Sequence, residues 1–217
     1  MPAAVVTGSS RGLGRAIALR FASDGYDVAV NYHSSDEAAA EVADAVRERG
    51  QGAVVVGADV SEPDGASRLV ETAADEFGGV DHVVNNAGID QHVYTESLSP
   101  ADFDRIMDVN VNSAFNVTKA ALSYLEASDD DPSVTNVSSI LAHTGAPIEC
   151  HYAASKGALI SLGLRARDQG ERHRARPHRD GHDRRPHARG ESGGDGGHSG
   201  RSLRPASGHR GGRRVPA

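Results

Sequence analysis

The sequence predicts a doubly wound α/β domain on a parallel sheet, and three observations predict it. Short valine-rich runs recur through the first 164 residues, segments of helical spacing separate them, and a glycine-rich turn follows the first run directly. Strands that alternate with helices cross over rather than fold back as hairpins. Such strands lie parallel, with helices covering both faces of the sheet.

Five runs read as strands: AAVVT (Ala3–Thr7), DVAVNY (Asp27–Tyr32), AVVVGA (Ala53–Ala58), HVVN (His82–Asn85) and SVTNVS (Ser133–Ser138). After the first comes TGSSRGLG, Thr7 to Gly14, which opens the first helix. Glycines at 8, 12 and 14 let the backbone turn sharply and come close to a pyrophosphate, with helix amides and the helix dipole behind them. A plain tight turn accounts for the same glycines. The spacing is G-x-x-x-G-x-G rather than the commoner G-x-G-x-x-G.

The second helix is announced by SSDE, with Ser34 as its N-cap and Glu37 three residues on. Its apolar stripe is Ala39, Val42, Ala43 and Val46, and Gly50 is its C-terminal stop. ADV (Ala58–Val60) ends the third strand, where Asp59 either accepts a bond from an adenine amino group or caps the next helix. NNAG (Asn85–Gly88) ends the fourth strand, at the edge where open parallel sheets bind ligands; an Asx-rich turn explains it equally. Ser99 before Pro100 marks another helix start. In HYAASKGAL (His151–Leu159), Tyr152 and Lys156 stand one helical turn apart, on one face. Such a pair arises easily by chance, but Ser139, thirteen residues before the tyrosine, ends the fifth strand and brings a hydroxyl towards it.

As a set, TGSSRGLG, NNAG, the asparagine of DVNVNSAF and the Ser–Tyr-x-x-x-Lys series resemble the short-chain dehydrogenase/reductase family, closest to its 3-oxoacyl-acyl-carrier-protein reductase branch. The resemblance covers residues 3–164 and implies a Rossmann-type fold and NAD(P)(H)-dependent interconversion of a carbonyl and an alcohol. The substrate it implies is a small molecule, a 3-oxoacyl thioester or similar ketone. It assigns acid/base work to Tyr152, support of the tyrosine and of the nicotinamide ribose to Lys156, substrate orientation to Ser139 and the surroundings of a relay water to Asn110. Cofactor contacts fall on Gly8, Ser9, Ser10, Arg11, Gly12, Leu13 and Gly14, on Asp59 and Val60, on Asn86 and Gly88, and again on Tyr152 and Lys156. The family also implies a homo-oligomer.

A free tyrosine loses its proton near pH 10. An ammonium one turn away, together with an oxidised nicotinamide, is expected to lower that value and make the phenol a usable acid/base. NADP(H) is favoured over NAD(H), because the second strand ends in NYHSS with no carboxylate before Asp36, while Arg11 suits a 2′-phosphate. His143, Glu149, Cys150 and His151 flank the tyrosine, and Gln91, His92 and Tyr94 follow NNAGI towards the substrate mouth. No second cluster at metal-ligand spacing accompanies them, so no metal is expected.

The single cysteine excludes an intrachain disulfide, and no basic leader or membrane-length apolar run is legible. Cytoplasm is the expected compartment. Residues 1–164 carry 24 acidic and 9 basic side chains, whereas residues 165–217 carry 6 acidic residues and 14 arginines. That second stretch has only Leu203 and Val215 as sizeable apolar residues and reads as a disordered, separate tail. A basic tail suits a non-enzymatic dinucleotide-binding module that engages nucleic acid or an acidic surface, but arginine without lysine or aromatics is poor for that, and neither nucleic acid nor membrane is expected as a partner. The tail instead reads as a family C-terminus out of frame. Shifting Arg201–Pro216 by one base permits G-R-F-G-Q-P-x-D-I-A-x-x-V-x-F-L, which resembles the end of many such reductases. A catalytically inactive remnant of a reductase is therefore the alternative to a working one.

Overall fold

The computed structural model describes residues 1–163; the stretch read as a basic tail, 165–217, lies outside the described residues. In chain order the elements are β1 (Ala3–Val6), α1 (Gly12–Ser23), β2 (Asp27–Tyr32), α2 (Asp36–Arg47), β3 (Ala53–Gly57), α3 (Pro63–Phe77), β4 (His82–Asn85), α4 (Pro100–Met107), α5 (Ser113–Ala127), β5 (Ser133–Asn136), α6 (Leu141–Thr144) and α7 (Cys150–Ser161). A π-helical turn, Asp108–Asn112, joins α4 to α5. The five strands pair in parallel in the order β3-β2-β1-β4-β5. This is the doubly wound, Rossmann-type sheet that the alternation predicts.

Alternate strand residues feed two separate cores. Val5, Ala29, Val56 and Val83 face α3 and α5, packing with Leu69, Val70, Val117 and Leu125. Val6, Val28, Val30 and Val84 face the other way, onto Ala18, Ala22 and the α2 stripe. All four predicted stripe residues, Ala39, Val42, Ala43 and Val46, are fully buried. A strand buried on both faces needs apolar residues at successive positions, which is why these runs read as continuous valine.

Local signals succeed and fail for visible reasons. Ser99 caps α4 by accepting the Asp102 amide at 3.1 Å. Gly50 has a φ of +84° and closes the turn after α2, its amide bonding the Arg47 carbonyl. Ser34 is not the N-cap of α2. Ser35 holds that position, with no side-chain bond to the helix, and the acidic Asp36 and Glu37 in the first turn favour the helix start through the dipole. The fifth strand stops at Asn136 rather than Ser138, because Ser138 turns its hydroxyl to the Lys156 carbonyl on α7. Among the described residues β5 is an edge strand, paired with β4 alone.

Order reverses at β1, where the chain winds outward to β2 and β3 before returning to β4. At such a switch point the loops after neighbouring strands diverge and leave a crevice at the strands' C-terminal ends.

Candidate functional site

The crevice is a cavity of about 550 Å³ whose lining comes from the Gly-rich loop, the end of β2, the residues after β3 and the turn after β4. Gly8, Ser10, Arg11, Leu13, Gly14, Asp59, Val60, Asn86 and Gly88 all line it, so most of the expected cofactor contacts converge. Helix α1 starts at Gly12 with no side-chain cap, leaving its leading amides for a ligand. That is the donor set a pyrophosphate needs.

The loop is held from behind. A Cβ on Gly14 would fall 2.5 Å from both the Asn86 Nδ2 and the Gly8 carbonyl oxygen, so nothing larger than glycine lets α1 approach β4 this closely. Asn86 donates its side-chain amide to the Thr7 and Gly8 carbonyls at 2.9 and 3.2 Å, and the Thr7 hydroxyl accepts the amides of Asn86 and Ala87. Ser9 is displaced from its expected role. It is fully buried, its amide bonds the Asn31 carbonyl, and its hydroxyl donates to the Val6 carbonyl while accepting the Asn31 amide. With those groups committed, Ser9 anchors the loop on β2 instead of touching a ligand.

Asn31 went unnoticed in the sequence and is central to the anchorage. Its Oδ1 accepts the Gly8 amide, and its Nδ2 donates to the carbonyls of Val56 and Ala58, so one buried side chain ties three strand ends together. Polar burial inside a valine-rich strand was the available signal. Asp59 does not cap α3. Its Oδ1 accepts the amide and hydroxyl of Ser61, which holds the carboxyl below the usual carboxylate range, and Glu62 occupies the cap position. Helix α3 nonetheless passes close against Asp59, since a Cβ on Gly65 would lie 1.9 Å from the Asp59 carbonyl oxygen.

A second part of the crevice joins the Gly-rich loop to α7. Arg11, Leu13, Asn86, Gly88, Asp90, Val137, Ser138, Tyr152 and Lys156 line it together. The Lys156 ammonium lies 5.6 Å from the Tyr152 ring centroid and donates to the Val137 carbonyl at 2.9 Å. Burial pushes the lysine below its usual value. Tyr152 lies above its usual value. Burial raises its pKa first of all, the neighbouring Ser139 hydroxyl pulls the value down, and the charges of Asp90 and Glu149 push it up again. The ammonium is engaged with Val137, and a cationic ligand beside the phenol would lower its value. Of the two serines, Ser139 reaches the tyrosine and Ser138 is tied to the Lys156 carbonyl.

Asn110 sits in the π-helical turn, a feature common at functional sites. It is buried, donates to the Ile89 carbonyl and to Ser155 Oγ at 2.9 Å each, and accepts the Ile89 amide at 2.8 Å. Its side chain thus clamps the segment after β4 to α7. A water relay near it has to use groups other than that side-chain amide.

Three side chains distant in sequence meet at the mouth. Asp90, His92 and Glu149 bring ligand-type atoms within 4.8 Å of one another, a cluster that spacing along the chain did not reveal. His92 pairs with Glu149, and the Val93 amide bonds the Ile148 carbonyl, joining the loop after β4 to the segment before α7. Gln91 turns to Asp102 at 3.3 Å, and Tyr94 is exposed. His151, by contrast, is fully buried with neither ring nitrogen hydrogen-bonded. No helix among the described residues is long and apolar enough to cross a membrane.

Residues 2–176 match the family model for short chain dehydrogenase, past the Leu164 at which the motifs end. The chain is 38% identical over 174 residues to glucose 1-dehydrogenase 2 of Bacillus subtilis, covering 78% of this chain and 67% of that protein. It is 34% identical over 160 residues to a 3-oxoacyl-acyl-carrier-protein reductase of Staphylococcus aureus, covering 73% and 64%. The crystal structure of a chain described as a short-chain alcohol dehydrogenase from Sinorhizobium meliloti superposes with a TM-score of 0.70 at 31% identity, over 74% of this chain and 63% of that one. The chain spans about two-thirds of the length of these curated relatives.

Proposed function

Because this chain belongs to the short-chain dehydrogenase family, we propose that it interconverts a carbonyl and an alcohol with NADP(H), preferred over NAD(H), as its hydride carrier. One observation carries the proposal: Tyr152 and Lys156 line the same crevice as Arg11, Asn86 and Gly88, so the acid/base pair and the dinucleotide loop share one space. The nicotinamide, when bound, supplies or accepts the hydride. Tyr152 gives its phenolic proton to the carbonyl oxygen as negative charge develops there, and takes it back in the reverse direction. Ser139, beside the phenol, offers its hydroxyl to the same oxygen. Lys156, anchored on Val137, positions the tyrosine, and its ammonium would hold a ribose hydroxyl. Asn110 keeps α7 and the segment after β4 in register.

Arg11 supports the NADP(H) preference, since it lines both parts of the crevice and a guanidinium suits a phosphate monoester. The substrate class implied by the resemblance, a 3-oxoacyl thioester or similar ketone, is part of the proposal, as are a homo-oligomer and a cytoplasmic location. Consumption of NADPH with a panel of ketones, by the wild type and by Tyr152→Phe, tests the activity. Turnover that survives the substitution at the wild-type rate overturns the assignment.

The composition of residues 165–217 supports a second statement. We infer that residues 1–164 form the catalytic domain and that the remainder, beyond the match to the family model at residue 176, is a family C-terminus read out of frame; a catalytically inactive remnant is the alternative to a working reductase.

A further inference from the structure

We propose that Asp90, His92 and Glu149 form a binding site for a divalent transition-metal cation at the mouth of the crevice. Each residue offers one ligand-type atom, and the three atoms lie within 4.8 Å of one another. His92 Nε2 faces both acids: it pairs with Glu149 Oε1 and stands 3.9 Å from Asp90 Oδ2. One imidazole nitrogen with two carboxylate oxygens is a donor set that zinc and manganese(II) accept. Such ligands sit about 2.0–2.2 Å from a zinc ion, so small rotations of the exposed Asp90 and His92 side chains close the cluster on its ion. Residues 90 and 149 are far apart along the chain, and the spacing that argued against a metal could not show them together.

The same atoms also make an ordinary ion pair, and two observations favour a cation over the pair alone. The Glu149 side chain is only 12% exposed, yet His92 is its one recorded polar partner. A nearly buried carboxylate ordinarily needs fuller compensation than one imidazole. Charge is the second observation. Among the described residues no lysine or arginine pairs with either acid, so even a protonated ring leaves one of the two negative charges without a partner.

The ligands are also held ready by main chain. The Val93 amide bonds the Ile148 carbonyl at 2.8 Å, and the Thr95 hydroxyl donates to the Pro147 carbonyl at 3.2 Å. The loop after β4 and the segment before α7 are thus joined before an ion arrives, which spares part of the ordering entropy of binding. Asp90 lines the crevice together with Tyr152 and Lys156, so an ion on it neutralises acids at the edge of the space where the substrate would enter. The exposed sides of Asp90 and His92 leave its remaining coordination positions to water.

Direct binding tests the site without any need for turnover. Mn2+ is the probe, because the chain's 11 histidines would take up Zn2+ elsewhere, whereas Mn2+ favours carboxylate oxygens. Free Mn2+ is counted by electron paramagnetic resonance against the 217-residue chain, Asp90→Asn, His92→Gln, Glu149→Gln and, outside the cluster, the exposed His143→Gln. Wild type and His143→Gln are expected to bind one ion per chain, which each cluster substitution weakens by about tenfold or more. Mn2+ should also raise the thermal midpoint of those two proteins and leave that of the three cluster variants unmoved, since only a folded site holds the ion. Asp90 and His92 are exposed, so their variants keep the fold and decide the matter if Glu149→Gln does not fold. Binding lost from the acid variants but kept in His92→Gln shows mere attraction to acidic charge and overturns the three-ligand site. Uptake that survives all three substitutions, or no uptake by the wild type, overturns it as well.

Discussion

The Lys156 ammonium donates to the Val137 carbonyl at 2.9 Å, which fixes helix α7 to the chain just beyond β5. The lysine is therefore a strut as well as a charge, and its removal has two consequences that Tyr152 does not share. In an active form of the enzyme, Tyr152→Phe should lower kcat by about a hundredfold to ten-thousandfold, the usual range for a positioned acid/base, while NADPH affinity holds. Lys156→Ala should weaken both. Titration of NADPH into each variant, beside steady-state rates, separates the two residues.

Arg11→Glu replaces a phosphate partner with a repelling charge. The preference for NADPH over NADH should drop by about tenfold or more, on the scale of a charge-assisted hydrogen bond. The ratio of the two kcat/KM values reads this, and an unchanged ratio shows that Arg11 selects nothing.

Stability should fall on mild acidification because of His82. Its Nδ1 is 2.7 Å from Ser133 Oγ, its Nε2 is buried without a partner, and Phe21 and Tyr26 pack against the ring. Burial is the main cause that lowers its pKa, against the opposing charges of Asp81, Asp131 and Asp130. The unfolded chain then binds the proton more readily, so stability is complete above the unfolded value near 6.5 and is lost as pH falls from there through the folded one. The urea midpoint should fall less between high and low pH for His82→Gln than for wild type. Identical slopes would remove His82 as the cause.

Gly65→Ala should cost about 1–3 kcal/mol, the range for an overpacked position. The added Cβ would fall 1.9 Å from the Asp59 carbonyl oxygen, and a backbone atom has little room to move. Because Asp59 lines the cavity, NADPH affinity should drop with stability. Urea denaturation and coenzyme titration on the same preparation check both effects.

Across the codons for residues 160–217 a shifted frame should continue the family pattern, and the frame-restored protein should bind NADP(H) more tightly, aggregate less and turn over faster than the chain as written. A gene with no such frame, or a stable and active 217-residue protein, refutes the out-of-frame reading.

What the sequence disclosed was what repeats locally. The stripe Ala39–Val42–Ala43–Val46 and the pair Ser99–Pro100 each express one element's own geometry, and each was legible. Tyr152, Lys156, Asn110 and the Gly-rich loop were legible because their residue types fall in a recognisable order. Contacts across the chain were not. His92 meets Glu149 only after β4 and α7 are in place, and Asn31 reveals its purpose only when Gly8, Val56 and Ala58 surround it. Ser9 was misassigned for the same reason: a serine in a phosphate-type loop gives no local sign that its hydroxyl points inward.

The close approach at Gly14 also bears on how this loop can vary. Glycine codons lie one base from those for Ala, Ser, Cys, Val, Asp, Glu, Arg and Trp, and every one of those residues brings the Cβ that would stand 2.5 Å from Asn86 Nδ2 and from the Gly8 carbonyl. Trimming Asn86 relieves only one of the two collisions, because the other is with main chain. No single point mutation, and no pair confined to side chains 14 and 86, gives position 14 a new occupant without moving the backbone. Mutagenesis libraries directed at this crevice therefore gain nothing by randomising residue 14, and their diversity belongs at Ser10, Arg11, Leu13 and the wall after β2.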